Sequence, residues 1–140
     1  MFRSRNGGDS WERIENGLFT GRAFGGQAPS AFGFPLAFDA MTRTLFAVPL
    51  ESDEVRMPPG GALRVFRSRN GGDSWEATSK GLPTDAFVGV LRTSMAADGA
   101  GGVYFGTTGG SLYASRDAGD SWEKLPLTLP RIHCVAAFVD

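Results

Sequence analysis

An internal repeat constrains the fold of this chain more than any other feature of its sequence. Residues 2–12 and 66–76 both read FRSRNGGDSWE, an identity over 11 positions. A third copy at 113–123 reads YASRDAGDSWE, so all three share the frame Ser-x-Asn/Asp-x-Gly-Asp-Ser-Trp. The copies begin 64 and then 47 residues apart. Self-similarity on this scale indicates a repeat architecture, in which each repeat is one supersecondary unit.

Each copy of the frame predicts a turn that joins two strands, and we call it a repeat turn. The Asn or Asp side chain can bond its own following backbone, and the glycine supplies a positive φ without steric cost. The tryptophan opens the next strand and is large enough to pack between sheets. We therefore assign structural roles in the turns to fifteen frame residues: Ser4, Asn6, Gly8, Ser10, Trp11, Ser68, Asn70, Gly72, Ser74, Trp75, Ser115, Asp117, Gly119, Ser121 and Trp122.

The alternative for the polar residues of the turns is a carboxylate site or a calcium loop. It would involve Asn6, Asp9, Asp73, Asp117 and Asp120. Because an active site is seldom built three times in one domain, the repetition favours the turn.

The segments between the turns predict four strands per repeat, which we label A to D. One unit reads FGFPLAFDA, TRTLFAVPL, GALRVFRS and SWEATS; the next reads DAFVGVLRTS, GGVYFGTT, SLYASR and SWEKLPL. The chain starts with strands C and D alone and ends with a lone A strand, RIHCVAAFVD. About 11 strands follow from this pattern, and the one helix-like segment, MAAD at 95–98, is too short to stand alone.

Four-stranded repeats at this spacing are typical of β-propeller blades. The frame resembles the Asp-box, or BNR repeat, of sialidase-like propellers, although Asn6 and Asn70 replace the aspartate in two copies. The stretches VPLESDEVRMPPGGALRVFRSRNGGDSW and GGVYFGTTGGSLYASRDAGDSW are similar to bacterial YVTN/BNR-like repeat proteins, often labelled exo-α-sialidase or glycosyl hydrolase. The resemblance implies an all-β Asp-box propeller.

The predicted blades divide the chain as follows. Residues 1–19 supply strands C and D of one blade, 34–80 form a second blade, 85–128 a third, and 131–140 a lone A strand. A closed propeller needs at least four blades, and this sequence supplies about three. We therefore expect the C-terminal part of a propeller of six to eight blades, with 131–140 as the ring-closing strand. The alternative is that a second copy completes the ring.

The antiparallel strand order predicts where the connections lie. The C–D and A–B turns share one face, and the B–C and D–A connections share the other. The resemblance implies that a sialidase-like active site lies opposite the Asp-boxes, on the B–C and D–A side. The longest B–C connection, PLESDEVRMPPGGA at 49–62, is charged, and insertions on a rigid scaffold often carry binding residues. The predicted ligand-binding residues are Glu51, Asp53, Glu54, Arg56, Asp85, Arg131 and His133.

Four of these residues are catalytic candidates: Glu51, Asp53, Arg56 and Arg131. Paired carboxylates such as Glu51 and Asp53 suit acid–base work in glycoside hydrolysis, or a hard cation such as Ca²⁺. A solvated charged loop is the alternative interpretation.

The sequence gives little support to sialidase chemistry in this chain. The resemblance implies an arginine triad, a Tyr–Glu nucleophile pair and an acidic proton donor. The family's Phe/Tyr-Arg-Ile-Pro motif is absent, because residues 130–133 read PRIH. Tyr113 aligns with Phe2 and Phe66, which indicates packing, and Tyr104 lies in a B strand. We therefore predict a non-catalytic binding or scaffold module that acts through its B–C and D–A loops. The alternative is a fragment of a sialidase-like glycoside hydrolase.

The composition of the chain limits the classes of partner and cofactor that it is expected to bind. A net charge of -1, from 14 Lys+Arg against 15 Asp+Glu, lacks the electrostatic signature of a nucleic-acid or anionic-membrane protein. The single histidine and single cysteine predict neither a metal site nor a cofactor, and Cys134 is expected to be a small buried hydrophobe. The expected ligand is a glycan, peptide or protein. No export signal is recognisable at the start of the chain, so we expect it to be cytoplasmic as given.

Overall fold

The computed structural model describes residues 1–18 and 32–138. Ten β-strands and one short 3₁₀ turn, Pro59–Gly61, lie within these ranges, and no helix there is long and apolar enough to cross a membrane. The strands are β1 (Phe2–Arg3), β2 (Glu12–Arg13), β3 (Phe32–Asp39), β4 (Thr44–Leu50), β5 (Val65–Ser68), β6 (Glu76–Thr78), β7 (Met95–Ala97), β8 (Val103–Gly106), β9 (Leu112–Ser115) and β10 (Glu123–Lys124).

The strands form three antiparallel sheets that follow one another along the chain. β1 pairs with β2, the next four strands are ordered β3-β4-β5-β6, and the last four are ordered β7-β8-β9-β10. We call these sheets blades 1, 2 and 3. Each complete sheet is a meander of the predicted A–D order, so the all-β fold class is confirmed.

The predicted A strand of the third blade is wrong. The sequence predicts it at 85–94, whereas the strand lies at Met95–Ala97, the segment with the helix-like sequence. Backbone groups in 85–94 bond to neighbouring loops instead: Ala86 N–H donates to Gly61, and Gly89 accepts from Thr108. Pairing of 95–97 with β8 overrides the high helix propensity of the alanines.

The predicted lone A strand at 131–140 is also absent from the described residues. Residues 131–138 contain one isolated parallel bridge, Thr93↔Cys134, supported by a 2.8 Å hydrogen bond from Val135 N–H to Thr93. Because no ladder forms, Cys134 is not held against the core, and it is exposed rather than buried as expected. Ile132 is buried instead. Residues 19 and 139–140 of the predicted segments lie outside the described residues.

The core consists of two apolar layers, each between successive sheets. Between blades 1 and 2 lie Ile14, Leu18, Ala47, Phe66 and Trp75. Between blades 2 and 3 lie Ala37, Phe46, Val48, Leu63, Val65, Leu82, Val90, Met95, Val103, Phe105, Tyr113 and Trp122. Phe105 stacks on Tyr113 at 5.1 Å between ring centroids and meets Trp122 edge-on at 5.2 Å. Since blade 2 is covered on both sides, β4 is apolar almost throughout.

The connections separate onto two faces, as the strand order predicts. On the first, which we call the turn face, Ala118 of a C–D turn donates to Gly101 of an A–B turn at 3.1 Å. On the second, the loop face, the B–C connection of blade 2 meets the D–A connection that follows it. There Leu63 N–H donates to Pro83 at 3.1 Å.

Candidate functional site

The three repeat turns contain the same hydrogen-bond network. In the first, Ser4 Oγ accepts from Gly8 N–H at 2.7 Å and Asn6 Oδ1 accepts from Ser10 N–H at 3.0 Å. The corresponding distances are 2.8 and 3.0 Å in the second turn, and 2.8 and 2.9 Å in the third. The frame glycine has φ of 105°, 98° and 85° in the three copies. The fifteen frame residues therefore stand in turns of the predicted kind.

The third turn uses an aspartate where the others use asparagine. Asp117 accepts from Ser121 Oγ at 2.6 Å and from Ser115 Oγ at 2.7 Å. In the asparagine copies the side-chain amide donates instead, to Ser10 Oγ at 2.9 Å in the first turn. Burial opposes ionisation of Asp117, but the hydrogen bonds from Ser121 and Ser115 outweigh it and lower its pKa from 3.8 to about 2.

The side-chain oxygens of Asn6 and Asp117 therefore accept hydrogen bonds within their own turns. Within 1–18 and 32–138, no group of three or more His, Cys, Asp or Glu side chains is placed to hold a metal ion.

An arginine on the turn face joins blade 2 to blade 3. The Arg67 side chain is 8% exposed, and its guanidinium contacts Glu76 and Asp120, each at 2.6 Å. It also donates to the Ala118 carbonyl at 2.8 Å. Burial opposes the charge, but the bonds to Glu76 and Asp120 raise the pKa of Arg67 above its usual value. The guanidinium therefore spans from its own strand to the repeat turn of the next blade.

Arg3 makes the corresponding bridge from blade 1 to blade 2. It contacts Glu12 at 2.7 Å and Asp73 at 2.5 Å, and it donates to the Gly71 carbonyl. The Arg3 guanidinium lowers the pKa of the Asp73 carboxyl. Sequence reasoning did not assign a role to Arg3 or Arg67. The available signal was their position inside the identical copies, where the third copy has alanine.

The repeat-turn tryptophans form the second contact between blades. Trp75 is 5% exposed; its backbone N–H donates to Asn16 at 2.8 Å and its indole to Ile14 at 3.1 Å. Trp122 is 4% exposed and donates in the same way to Lys80 and Thr78. Each tryptophan therefore docks on the end of strand D of the preceding blade.

A glycine in the preceding blade makes room for each docked tryptophan. Gly17 and Gly81 have φ of 87° and 89°, and a Cβ on them would lie 2.1 and 1.9 Å from the carbonyl oxygens of Trp75 and Trp122. Only glycine is compatible with both this φ and this approach. Trp, Gly and Arg thus form one blade-docking contact that occurs twice.

On the loop face, the long connection after β4 places its acidic residues in different environments. Glu51 is buried at 5% exposure, and its backbone N–H donates to Met57 at 2.9 Å. Asp53 and Glu54 are exposed within a turn closed by Ser52 N–H donating to Val55 at 3.2 Å. Arg56 is exposed, and its Nε donates to the Asp53 carbonyl at 3.0 Å.

This connection is bonded to the next D–A connection. Ala86 N–H donates to Gly61 at 2.7 Å, and the Phe87 ring lies over Gly61, 3.1 Å from where its Cβ would be. Phe87 is 60% exposed, and Asp85 beside it is also exposed. Sequence reasoning missed Phe87 because it was assigned to a strand.

Arg131 and His133 lie in the other part of the loop face. Both side chains are exposed, and the segment between Leu129 and Ile132 is bonded to the turn after β8, through Gly110 and Thr107. The structure thus forms two clusters from the predicted residues. Glu51, Asp53, Glu54, Arg56 and Asp85 belong to the first, and Arg131 and His133 to the second.

An open groove of about 430 Å³ lies beside blade 1. Its walls are mostly apolar and include Met1, Phe2 of β1, Leu36 of β3 and Trp75. Among the described strands, β1 pairs only with β2, so the groove lies beside a two-stranded sheet where blades 2 and 3 have four strands.

Successive antiparallel meanders joined on their turn face define an all-β fold. No protein-family model matches the chain, and no curated protein matches its sequence. The solved structures that match include NanB with optactamide, with a TM-score of 0.55 and 20% identity, and a point mutant of NanB sialidase from Streptococcus pneumoniae, with a TM-score of 0.53 and 21% identity.

Both matches cover 91% of this chain and 19% of the NanB chain. The chain thus spans about a fifth of the length of the proteins it resembles. At 20% and 21% identity, the similarity establishes a sialidase-like all-β fold for this chain.

Proposed function

We propose that this chain is a non-catalytic binding or scaffold module whose loop face binds a glycan. The observation that carries the proposal is the cluster in which 51–62 and 83–89 are bonded together. It carries the exposed Phe87 ring on one connection beside Asp85, and the exposed Arg56 side chain on the other connection.

This combination suits a sugar. An aromatic ring covers the apolar face of a pyranose, and a few placed polar groups fix its orientation through hydroxyl hydrogen bonds. The backbone bonds between the two connections hold the cluster in place before a ligand arrives, which lowers the entropic cost of binding. Arg56 adds a cation for an acidic sugar.

The test is titration of the ¹⁵N-labelled chain with sialyllactose and with lactose. We expect shifts in the amide signals of 51–62 and 83–89, and a loss of at least about tenfold in affinity on Phe87→Ala, as for truncation of a central aromatic contact. Met41→Ala is the matched control, because Met41 is 64% exposed on the turn face. Equal losses in the two variants, or shifts confined to the turn face, would contradict the proposal. Binding of peptides alone would reassign the ligand class.

The second candidate is part of a sialidase-like glycoside hydrolase, which the fold similarity to NanB favours. Here Glu51 and Asp53 would be the paired carboxylates, and Arg56 and Arg131 the cations for the substrate. Fluorogenic sialoside hydrolysis separates the candidates. Turnover that disappears in Asp53→Asn and Glu51→Gln would establish the hydrolase, whereas binding without turnover would support the module.

A further inference from the structure

The repeat turn of blade 1 has the sequence of the second turn but lacks its contacts. Trp11 is 64% exposed, against 5% for Trp75. A Cβ on Gly8 would meet nothing within 4 Å, whereas one on Gly72 would lie 2.6 Å from Ile14 of the preceding blade. The difference between the two turns is therefore the neighbour, since residues 2–12 and 66–76 are identical.

The charge at this turn shows the same difference. Asp73 and Asp120 each accept an arginine from the preceding blade, at 2.5 Å from Arg3 and 2.6 Å from Arg67. Asp9 occupies the same frame position, and the Asp9 carboxylate makes no ion pair or side-chain hydrogen bond with the part of the chain that the structure describes. The turn thus presents an anionic group where its equivalents hold a guanidinium.

We propose that Gly8, Asp9 and Trp11 form a docking surface for a further blade of the same repeat type. That blade carries an arginine at the position of Arg3, which pairs with Asp9, and a glycine at the position of Gly17, which receives Trp11. The two contacts inside this chain specify this partner, because they show what covers the same eleven residues when a blade precedes them.

A second copy of this chain does not supply such a blade. The end available for docking is blade 3, where Ala114 stands at the arginine position and Thr128 at the glycine position. Neither residue makes the docking contact: alanine has no cation for Asp9, and a Cβ at the glycine position meets the tryptophan carbonyl. The occupant is therefore a preceding repeat of a longer polypeptide, and strands A and B of blade 1 would occupy the groove beside β1.

The test is a tandem protein in which residues 1–64 precede the full chain. Met1 aligns with Val65, so the junction restores a complete repeat and places Arg3 and Gly17 of the added copy opposite Asp9 and Trp11. The Trp11 that belongs to the full chain, not the one in the added copy, is followed by acrylamide quenching of its fluorescence. Its signal is the difference between each protein and the variant of that protein with Trp11→Phe in the full chain. We expect its quenching to be lost in the tandem and to return when the added copy carries Arg3→Met and Gly17→Ala.

Quenching of Trp11 that persists in a folded tandem overturns the proposal. Sedimentation of the natural chain over a range of concentrations, together with Trp11 quenching, is the independent measurement. It does not depend on the folding of the tandem. A dimer in which Trp11 becomes protected shows that a second copy is the occupant and also overturns it. A chain that keeps Trp11 quenched at all concentrations supports a blade from a longer polypeptide.

Discussion

Replacing Arg67 with methionine tests how much the buried arginine contributes to holding blades 2 and 3 together. Arg67→Met keeps an unbranched apolar side chain in place of the arginine stem and removes the ion pairs with Glu76 and Asp120 and the bond to the Ala118 carbonyl. Arg69→Met is the matched control, because Arg69 contacts the same two carboxylates, at 3.3 and 3.6 Å, from a side chain that is 51% exposed.

The expected cost follows from these contacts. Glu76 and Asp120 are 57% and 61% exposed, so each remains hydrated after the change and each pair contributes only about 0.5 kcal/mol. The bond from the buried guanidinium to a carbonyl adds about 1 kcal/mol. Part of this total is offset because methionine avoids the desolvation of a charge. We expect Arg67→Met to lower the free energy of unfolding by about 1–2 kcal/mol, and Arg69→Met by less than about 0.5 kcal/mol.

Urea unfolding at pH 7, followed by circular dichroism at low and high salt, measures both values. The loss in Arg67→Met should persist in high salt, because the group is buried, whereas any loss in Arg69→Met should disappear. Equal losses in the two variants, or no loss in Arg67→Met, would refute the role of burial in this contact.

Three further changes test other parts of the blade contacts. Gly81→Ala places a Cβ 1.9 Å from the Trp122 carbonyl oxygen and should lower the free energy of unfolding by about 2–4 kcal/mol, measured by thermal unfolding. Gly99→Ala is the control, because Gly99 has a φ of 80° but no atom within 4 Å of its Cβ position, and it should cost only about 1 kcal/mol. Ala118 has φ of 52° where the other copies have glycine, so Ala118→Gly should raise the stability by about 0.5–1 kcal/mol. The pKa of Asp117 is lowered from 3.8 to about 2 by its hydrogen bonds, so its ionised form stabilises the fold fully above pH 3.8 and loses that effect as the pH falls through about 2. Because the turn is exposed, solvent screening limits this contribution to about 1 kcal/mol. Asp117→Asn should cost at most that amount at pH 7 and clearly less at pH 2 in acid urea titrations, and a constant difference would contradict the assignment.

The repeat turns were predictable because their bonds are local. Ser, Asn or Asp, and Gly lie within five residues of one another, so the frame alone specifies the network around Asn6, Asn70 and Asp117. The contacts between blades were not predictable, because the residues that form each contact are distant in sequence. Trp75 bonds to Ile14, 61 residues away, and Arg67 bonds to Ala118, 51 residues away. No local pattern distinguishes these residues from an ordinary strand.

On the loop face, the strand order predicted where the connections lie but not which of their side chains are buried. Antiparallel order alone places 49–62 and the D–A connections on one side. Whether a charged residue there is solvated depends on packing between loops, which buries Glu51 and leaves Phe87 exposed. The third A strand was misplaced for the same reason, since the bonds of Ala86 and Gly89 to other loops leave 85–94 outside the sheet.

Docking of successive blades through their tryptophans is tested most directly by hydrogen exchange of the three indole N–H groups, observed by NMR. Trp75 donates to the Ile14 carbonyl and Trp122 to Thr78 Oγ1, both in buried positions, whereas Trp11 is 64% exposed. We expect two slowly exchanging indoles and one that exchanges as fast as free tryptophan, with Trp11→Phe removing the fast signal. Three indoles with the same exchange rate would contradict blade docking.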